Sequence, residues 1–301
     1  MACRCKEIWA PNNPSDVLAR VLIGIAYITV QLLFIFLILR PLYGKSKSST
    51  ISFIVLLSMW GVFSLLWIWA YIRTCWLDAG SLEHELIKLG YLVDGKLQNL
   101  PPELQNLQRC RRCCLPKPDR THHCQKCDMC YFRFDHHCPW IGNCVALYNL
   151  KAFMLFNIYN CILLFIATSG CICSILFASI VPMVVLILFA IAAFMMGGFL
   201  GCFGCSYFPA VCINQTTLER IAGVPSGRFD DGEKKNFEQI FGNCFLSWIL
   251  PTKPPVTGFM WSGIADPSEL DHPSNQENGN IDNVSENEDD EEDFNLSVKE
   301  E

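Results

Sequence analysis

The stretch CRRCCLPKPDRTHHCQKCDMCYFRFDHHCPWIGNC, Cys110 to Cys144, puts eight cysteines and four histidines into one segment of a 301-residue chain. Its spacing is periodic. Cys110-x2-Cys113 is followed by His123-Cys124, and fourteen residues later Cys124-x2-Cys127 is followed by His137-Cys138. Cys130 and Cys144 are separated by the same fourteen. Each copy offers three cysteines and one histidine, and the copies interleave. The first set is Cys110, Cys113, His123 and Cys130; the second is Cys124, Cys127, His137 and Cys144. Three thiolates and an imidazole suit a tetrahedral zinc with no open position, the mark of a structural site. Buried free thiols would have no reason to keep such a period, so two structural Zn2+ ions are the expected cofactors.

Cys138 falls outside both sets. It stands where Cys110 and Cys124 stand in the earlier copies, but three residues on the chain has Ile141 instead of a cysteine. His136 is left over in the same way, as is His122 one repeat earlier. The copies differ in the residue before the histidine pair, which is Thr121 in the first and Asp135 in the second. Asp135, His136 and Cys138 are therefore an acid, a base and a thiol. A free cysteine has a pKa near 8.5 and is mostly protonated at neutral pH. A histidine can take its proton, and a carboxylate can fix that histidine's tautomer. The competing reading is that Asp135 and His136 only steady zinc ligands.

Outward from this segment the chain turns apolar on both sides. Before it lie VLIGIAYITVQLLFIFLIL, residues 21–39, and ISFIVLLSMWGVFSLLWIWAYI, residues 51–72; after it no charge occurs from Ala152 to Leu218. A bilayer core needs about 20 apolar residues per helix. The long run is then two spans, near 152–176 and 181–206, turning at Pro182. The first block is too long for a signal peptide and lacks a cleavage site. The expectation is an α-helical integral membrane protein with four transmembrane helices and a zinc-binding cysteine-rich domain between spans 2 and 3.

Four spans put both termini and the central loop on one side. Arg109, Arg111, Arg112, Lys117, Arg120, Lys126 and Arg133 lie in that loop, and the positive-inside rule makes it cytosolic. The expected organisation is a cytosolic N-terminus 1–17, spans 18–75, a cytosolic loop 76–151 with its core at 110–153, spans 152–206, a cytosolic region 207–270 and an acidic tail 271–301. A cytosolic loop is reducing, which favours metal or catalysis over disulfides. The tail carries most of the net charge of −6 and should be a disordered, solvated segment. Only 17% of residues are charged, and mean hydropathy is +0.28. The spans hold essentially no ionisable residues, which argues against an ion transporter. Nothing points to nucleic acid. A membrane-anchored zinc-binding adaptor or ubiquitin-ligase-like scaffold would explain the metal sets, but not Asp135 or Cys138. A RING cross-brace also needs a different spacing.

Asp135-His136-His137-Cys138-Pro139-Trp140 resembles the signature of the DHHC protein S-acyltransferases. Gln215-Thr216-Thr217-Leu218-Glu219 resembles that family's TTxE motif. Phe229-Asp230-Asp231-Gly232, Asn236 and Phe241-Gly242 resemble its C-terminal aromatic/asparagine motif. Two departures stand out: Asp78-Ala79-Gly80 where the family usually has Asp-Pro-Gly, and Cys144-Val145-Ala146 where it has Cys-Val-Gly.

The resemblance implies a two-step reaction. Cys138 takes the acyl group of palmitoyl-CoA as a thioester, then passes it to a cysteine of a substrate protein. It implies that His136 is the base, that Asp135 orients it, that Thr217 supports Asp135 and that Asn236 is structural. The implied partners are palmitoyl-CoA, membrane-associated proteins with cytosolic cysteines and the bilayer, with room for an accessory subunit. The implied location is an endomembrane, with Golgi ahead of plasma membrane and endoplasmic reticulum. Cys3 and Cys5 are either acylation sites or two exposed thiols, and Cys114 has no assigned role.

Overall fold

The structure, a computed structural model, describes residues 14–177 and 183–264. Pro182, Cys3, Cys5 and the acidic tail lie outside the described residues. Helix α1 (Pro14–Leu33) continues through a π-helical turn, Phe34–Leu39, and a 3-10 turn, Arg40–Leu42. Helix α2 (Lys47–Cys75) opens on a capping box, in which the Ser46 side chain accepts from Ser49 N–H and Ser49 returns the bond. After the central domain come α5 (Leu150–Phe177) and α6 (Met183–Cys205), which α7 (Tyr207–Cys212) extends. Among the described residues four helical stretches, Pro14–Leu42, Lys47–Cys75, Leu150–Phe177 and Met183–Cys212, are long and apolar enough to cross a membrane. They expose large apolar side chains such as Leu22, Ile28, Leu65, Leu188 and Met195, which water would penalise and lipid tolerates.

Small residues set the helix contacts. On α6, Gly197, Gly201 and Gly204 face α5, and a Cβ at Gly201 would lie 2.7 Å from the Cys161 sulfur. GCFGC, residues 201–205, is thus a helix-packing stripe. On α5, Gly170 lets the π-helical turn approach, with Phe34 and Ile38 each 2.9 Å from where a Cβ would sit. Aromatic stacks join α1 to α2: Tyr27 on Trp67 at 3.9 Å and Phe34 on Trp60 at 3.7 Å between ring centres.

The central domain holds α3 (Leu82–Lys88), a short ribbon β1 (Leu92–Val93) with β2 (Lys96–Leu97), α4 (Pro102–Gln105) and two further hairpins. Strands β3 (His122–Cys124) and β4 (Met129–Tyr131) pair His123 with Cys130. Strands β5 (His136–Cys138) and β6 (Asn143–Val145) pair His137 with Cys144 in the same register. The fourteen-residue repeat is therefore a repeated β-hairpin. C-terminal to the spans lie α8 (Thr217–Ile221), α9 (Glu233–Phe241) and α10 (Phe245–Ile249).

The structure changes two expectations. Arg120 and Arg133, counted above among the charges of the loop, are buried at 5% and 1% exposure. They bond within the protein and are not surface charges facing solvent. The first helix also starts before its apolar block and takes in Asp16 and Arg20, both buried, so its first turns are not free of ionisable residues. The departure at Ala146 needs no special backbone: it is not among the residues in the left-handed region, and its N–H is bonded to Asn149 Oδ1 at 2.9 Å. At Asp78-Ala79-Gly80 it is the glycine that matters. Gly80 has φ +108°, with the Tyr148 ring 3.2 Å from where a Cβ would be.

Candidate active site and metal centres

The hairpin register brings both predicted ligand sets together. Within Cys110, Cys113, His123 and Cys130, and within Cys124, Cys127, His137 and Cys144, the donor atoms all lie within 4.8 Å of one another. Cys113 Sγ is 3.2 Å from His123 Nδ1 and 3.7 Å from Cys130 Sγ. In the second set His137 Nδ1 is 3.3 Å from Cys127 Sγ and 3.7 Å from each of Cys124 and Cys144. Zn–S bonds of about 2.3 Å and Zn–N bonds of about 2.0 Å in a tetrahedron require edges of roughly 3.5–3.8 Å, so both sets fit zinc. Both offer the Nδ1 nitrogen.

Cys138 belongs to neither group. It sits at the end of β5, and the residue is 6% exposed. Beside it, His136 Nδ1 is 2.8 Å from Asp135 Oδ2, and Thr217 N–H donates to Asp135 Oδ1 at 2.6 Å. Burial by itself would raise the Asp135 pKa. The bonds from His136 and Thr217 outweigh it and hold the carboxyl below its usual value. A carboxylate only accepts, so Nδ1 carries the proton and Nε2 is left for the thiol. Burial likewise disfavours the charged form of His136, but Asp135 and Cys138 favour it more strongly and raise its pKa to about 9. Burial would raise the Cys138 thiol; hydrogen bonding to His136 and to the backbone N–H groups of Ile141 and Trp140 pulls it below its ordinary value. The lowered thiol, the raised imidazole and the carboxylate behind it together favour transfer of the thiol proton to the histidine.

Thr217 reaches Asp135 because α8 begins there. Thr216 caps the helix: its side chain accepts from Glu219 N–H at 3.1 Å, and Glu219 Oε2 accepts from Thr216 N–H at 2.8 Å. Arg120 then grips Glu219 at both oxygens, at 2.6 and 2.8 Å, and bonds Asn214 Oδ1 at 2.8 Å. Its guanidinium lies against the Phe229 ring at 4.4 Å and the Trp261 ring at 4.8 Å. Asn236 is fully buried. It donates to Cys212 O at 2.6 Å and to Asp230 Oδ1 at 2.6 Å, tying α9 to the end of α7. Sequence reasoning missed Arg120 as the partner of Glu219. Nothing in the sequence set it apart from the other loop cations.

An apolar cavity of about 600 Å³ opens beside Cys138. Cys138, Trp140 and Ile141 line it from the second hairpin; Tyr27 and Val30 come from α1, Trp60 and Trp67 from α2, Phe156 and Leu163 from α5, and Phe199 and Phe203 from α6. Its volume is that of a small-molecule site. Polar groups are few. Gln31 is one, bonded to Ser64 Oγ at 3.1 Å and to the Trp60 indole N–H. The His136 ring stands edge-on to Phe153 at 5.8 Å, where the charged trio meets the apolar wall.

A family profile described as DHHC palmitoyltransferase matches residues 103–224, which contain both ligand sets, the trio and Glu219. Palmitoyltransferase ZDHHC2 of Danio rerio is 38% identical over 160 residues, covering 48% of this chain and 44% of the relative. Its namesake in Homo sapiens is 36% identical over 158 residues, covering 48% and 43%. The matched stretch thus spans less than half the length of these relatives. Probable protein S-acyltransferase 12 of Arabidopsis thaliana is 30% identical over 198 residues, covering 61% of this chain and 68% of the relative. With that coverage, and with the hairpin pair, the four apolar helices and the Asp-His-His-Cys site in one chain, the protein belongs to the DHHC palmitoyltransferase family.

Proposed function

We propose that this protein is a protein S-palmitoyltransferase in which Cys138 carries the acyl group. One observation supports the reading above all: Cys138, outside both metal sets, follows closely on a histidine that Asp135 orients, and lines an apolar cavity shared by all four spans. The Cys138 thiolate attacks the thioester carbonyl of palmitoyl-CoA. The bond from that carbon to the CoA sulfur breaks, and the leaving thiolate takes the proton of the His136 imidazolium. In the second step His136 accepts the proton of a substrate cysteine, whose sulfur attacks the acyl-enzyme thioester. Cys138 leaves as a thiolate and the pair is restored. Asp135 keeps Nδ1 protonated and faces the positive ring in each resting state. The cavity takes the acyl chain, where each buried CH2 contributes about 0.8 kcal/mol.

Cys110, Cys113, His123 and Cys130 would hold one zinc, and Cys124, Cys127, His137 and Cys144 the other. With no open position, each zinc would cross-link its hairpin and supply no chemistry to the acyl group. The central loop, the N-terminus (residues 1–17) and the C-terminal regions (207–270 and 271–301) are assigned to the cytosol. Exposed Arg109, Arg111, Arg112 and Lys126 support that side. Substrates would be membrane-associated proteins with cytosolic cysteines, an accessory subunit fits the reading, and a Golgi membrane is the assigned location. A zinc-binding adaptor leaves the trio and the cavity without a role.

The test is intact mass after incubation with palmitoyl-CoA in mild detergent, wild type beside Cys138→Ser. A palmitoyl adduct on wild type alone, removed by hydroxylamine, supports the reading. An adduct on both would move the acyl site elsewhere, and none on either with zinc retained would favour a scaffold.

A further inference from the structure

The fourteen-residue repeat has an exception at its turns. In the first hairpin Asp128, five residues after His123, places Oδ1 3.6 Å from His123 Nε2, the nitrogen that faces away from the metal set. The equivalent position in the second hairpin is Gly142. The second copy therefore has no aspartate of its own, yet a carboxylate stands at the matching place. Asp16 Oδ1, from the first turn of α1, is 3.7 Å from His137 Nε2.

Several observations show that this meeting is built. Asp16 is 4% exposed, and its Oδ2 and His137 Nε2 are both buried without a hydrogen-bond partner. A bond between the two groups would satisfy the orphaned nitrogen. Gly142 makes the approach possible: its φ is +60°, and a Cβ there would lie 2.2 Å from the Asp16 carbonyl oxygen. Arg20, one turn along α1, donates to Gly142 O from Nε at 3.1 Å and from Nη2 at 2.6 Å. Its own carbonyl is held by the Tyr71 hydroxyl at 2.7 Å. An aspartate retained at position 142 would collide with α1; a glycine there admits the helix, and the helix brings the carboxylate.

We propose that Asp16 is the positioning residue of the second metal set, holding the His137 ring through Nε2 in place of the aspartate that this hairpin lacks. The proposal rests on the reading of His137 as a metal ligand. Outer carboxylates fix the orientation of ligating histidines, and their loss weakens metal affinity about 10–100-fold. Because His137 lies between His136 and Cys138, the first membrane helix then sets the geometry of the catalytic hairpin as well.

The test follows zinc release from the full-length protein in detergent, challenged with the chelator 4-(2-pyridylazo)resorcinol. Wild type should hold two zinc ions, one per set; fewer would defeat the ligand reading itself, whatever Asp16 does. Asp16→Asn should speed one release phase about 10–100-fold and spare the other, Asp128→Asn should speed the other, and Asp16→Glu should restore retention. Unchanged release in Asp16→Asn would overturn the proposal, as would equal acceleration of both phases, which marks general loosening. A second measurement needs no variant. In 15N-histidine-labelled wild type the His137 Nε2–H should be present and protected from solvent exchange; a His137 bound through Nε2, or one exchanging freely, would sink the idea.

Discussion

The two hairpins of the central domain are built on one pattern and do different things. Both pair a histidine with a cysteine of a candidate metal set across the strands, and both carry a second histidine one residue earlier. In the first hairpin that residue is His122, preceded by Thr121. Burial, with Lys117 nearby, lowers its pKa to about 4, so it is neutral. In the second it is His136, preceded by Asp135, and its pKa rises to about 9. Asp135 and the nearby Cys138 thiol thus set a charged imidazole in the second hairpin apart from a neutral one in the first. The cysteine after each pair differs too: Cys124 is gathered into a metal set, whereas Cys138 is not. The first hairpin instead anchors the C-terminal region through Arg120, the residue just before Thr121. A repeat thus keeps its scaffold and divides its labour by few substitutions.

The contrast can be broken by experiment. Cys138→Ser should abolish the acyl-enzyme entirely while zinc content, read by elemental analysis, stays at the wild-type value; Cys124→Ser should lose zinc and destabilise the domain. Next in size, His136→Ala should slow autoacylation about 10²–10⁴-fold, the range of a lost acid–base group, in folded protein. His122→Ala should leave the same single-turnover rate near wild type, and an equal loss in both variants would erase the distinction drawn here.

A smaller effect probes how Asp135 is held. Thr217 is the first residue of α8, where proline is tolerated. Thr217→Pro removes the N–H given to Asp135 while keeping the helix, and a bond to a charged group contributes about 1.5–3 kcal/mol. Acylation should slow by roughly 10–100-fold, and Thr217→Ala, which retains that N–H, should slow it less. The smallest change is Ala146→Gly. The backbone there is ordinary, so thermal unfolding and acylation should both stay close to wild type.

Arg120 offers a stability counterpart. It is buried against Glu219, and burial there would raise the Glu219 pKa, but the bond to Arg120 overrides that and holds the carboxylate down. Arg120→Ala leaves a buried charge unpaired, which costs about 3–5 kcal/mol. The loss should appear as a lower unfolding midpoint, together with slower acylation because α8 no longer presents Thr217 squarely.

Much of the site was legible because its signals are local. The ligand sets follow from a period, and the period survives folding because each copy makes one hairpin. Cys138 was visible as the cysteine that starts a third copy with no second cysteine three residues on, and Asp135 as the residue that breaks the likeness between copies. Arg120 was misread for a physical reason. A cation in a loop looks the same in sequence whether it faces solvent or a carboxylate 99 positions away. Asp16 was passed over because it precedes the apolar block, and nothing in its neighbours announces the histidine it meets.

The sequence by itself determined the four apolar helices, since their length must match a hydrocarbon layer, and it determined which thiols group into the two candidate metal sets. It also determined the acid–base–thiol trio, whose members are nearly adjacent. Only the tertiary structure decided that Thr217 N–H meets Asp135, that Arg120 locks Glu219, that Asp16 stands at His137, and that four helices leave a cavity of about 600 Å³ beside Cys138. These are contacts between segments far apart in the chain. They depend on how close the helices and hairpins approach, and that is set by packing at places such as Gly142 and Gly201, where the missing side chain is what matters.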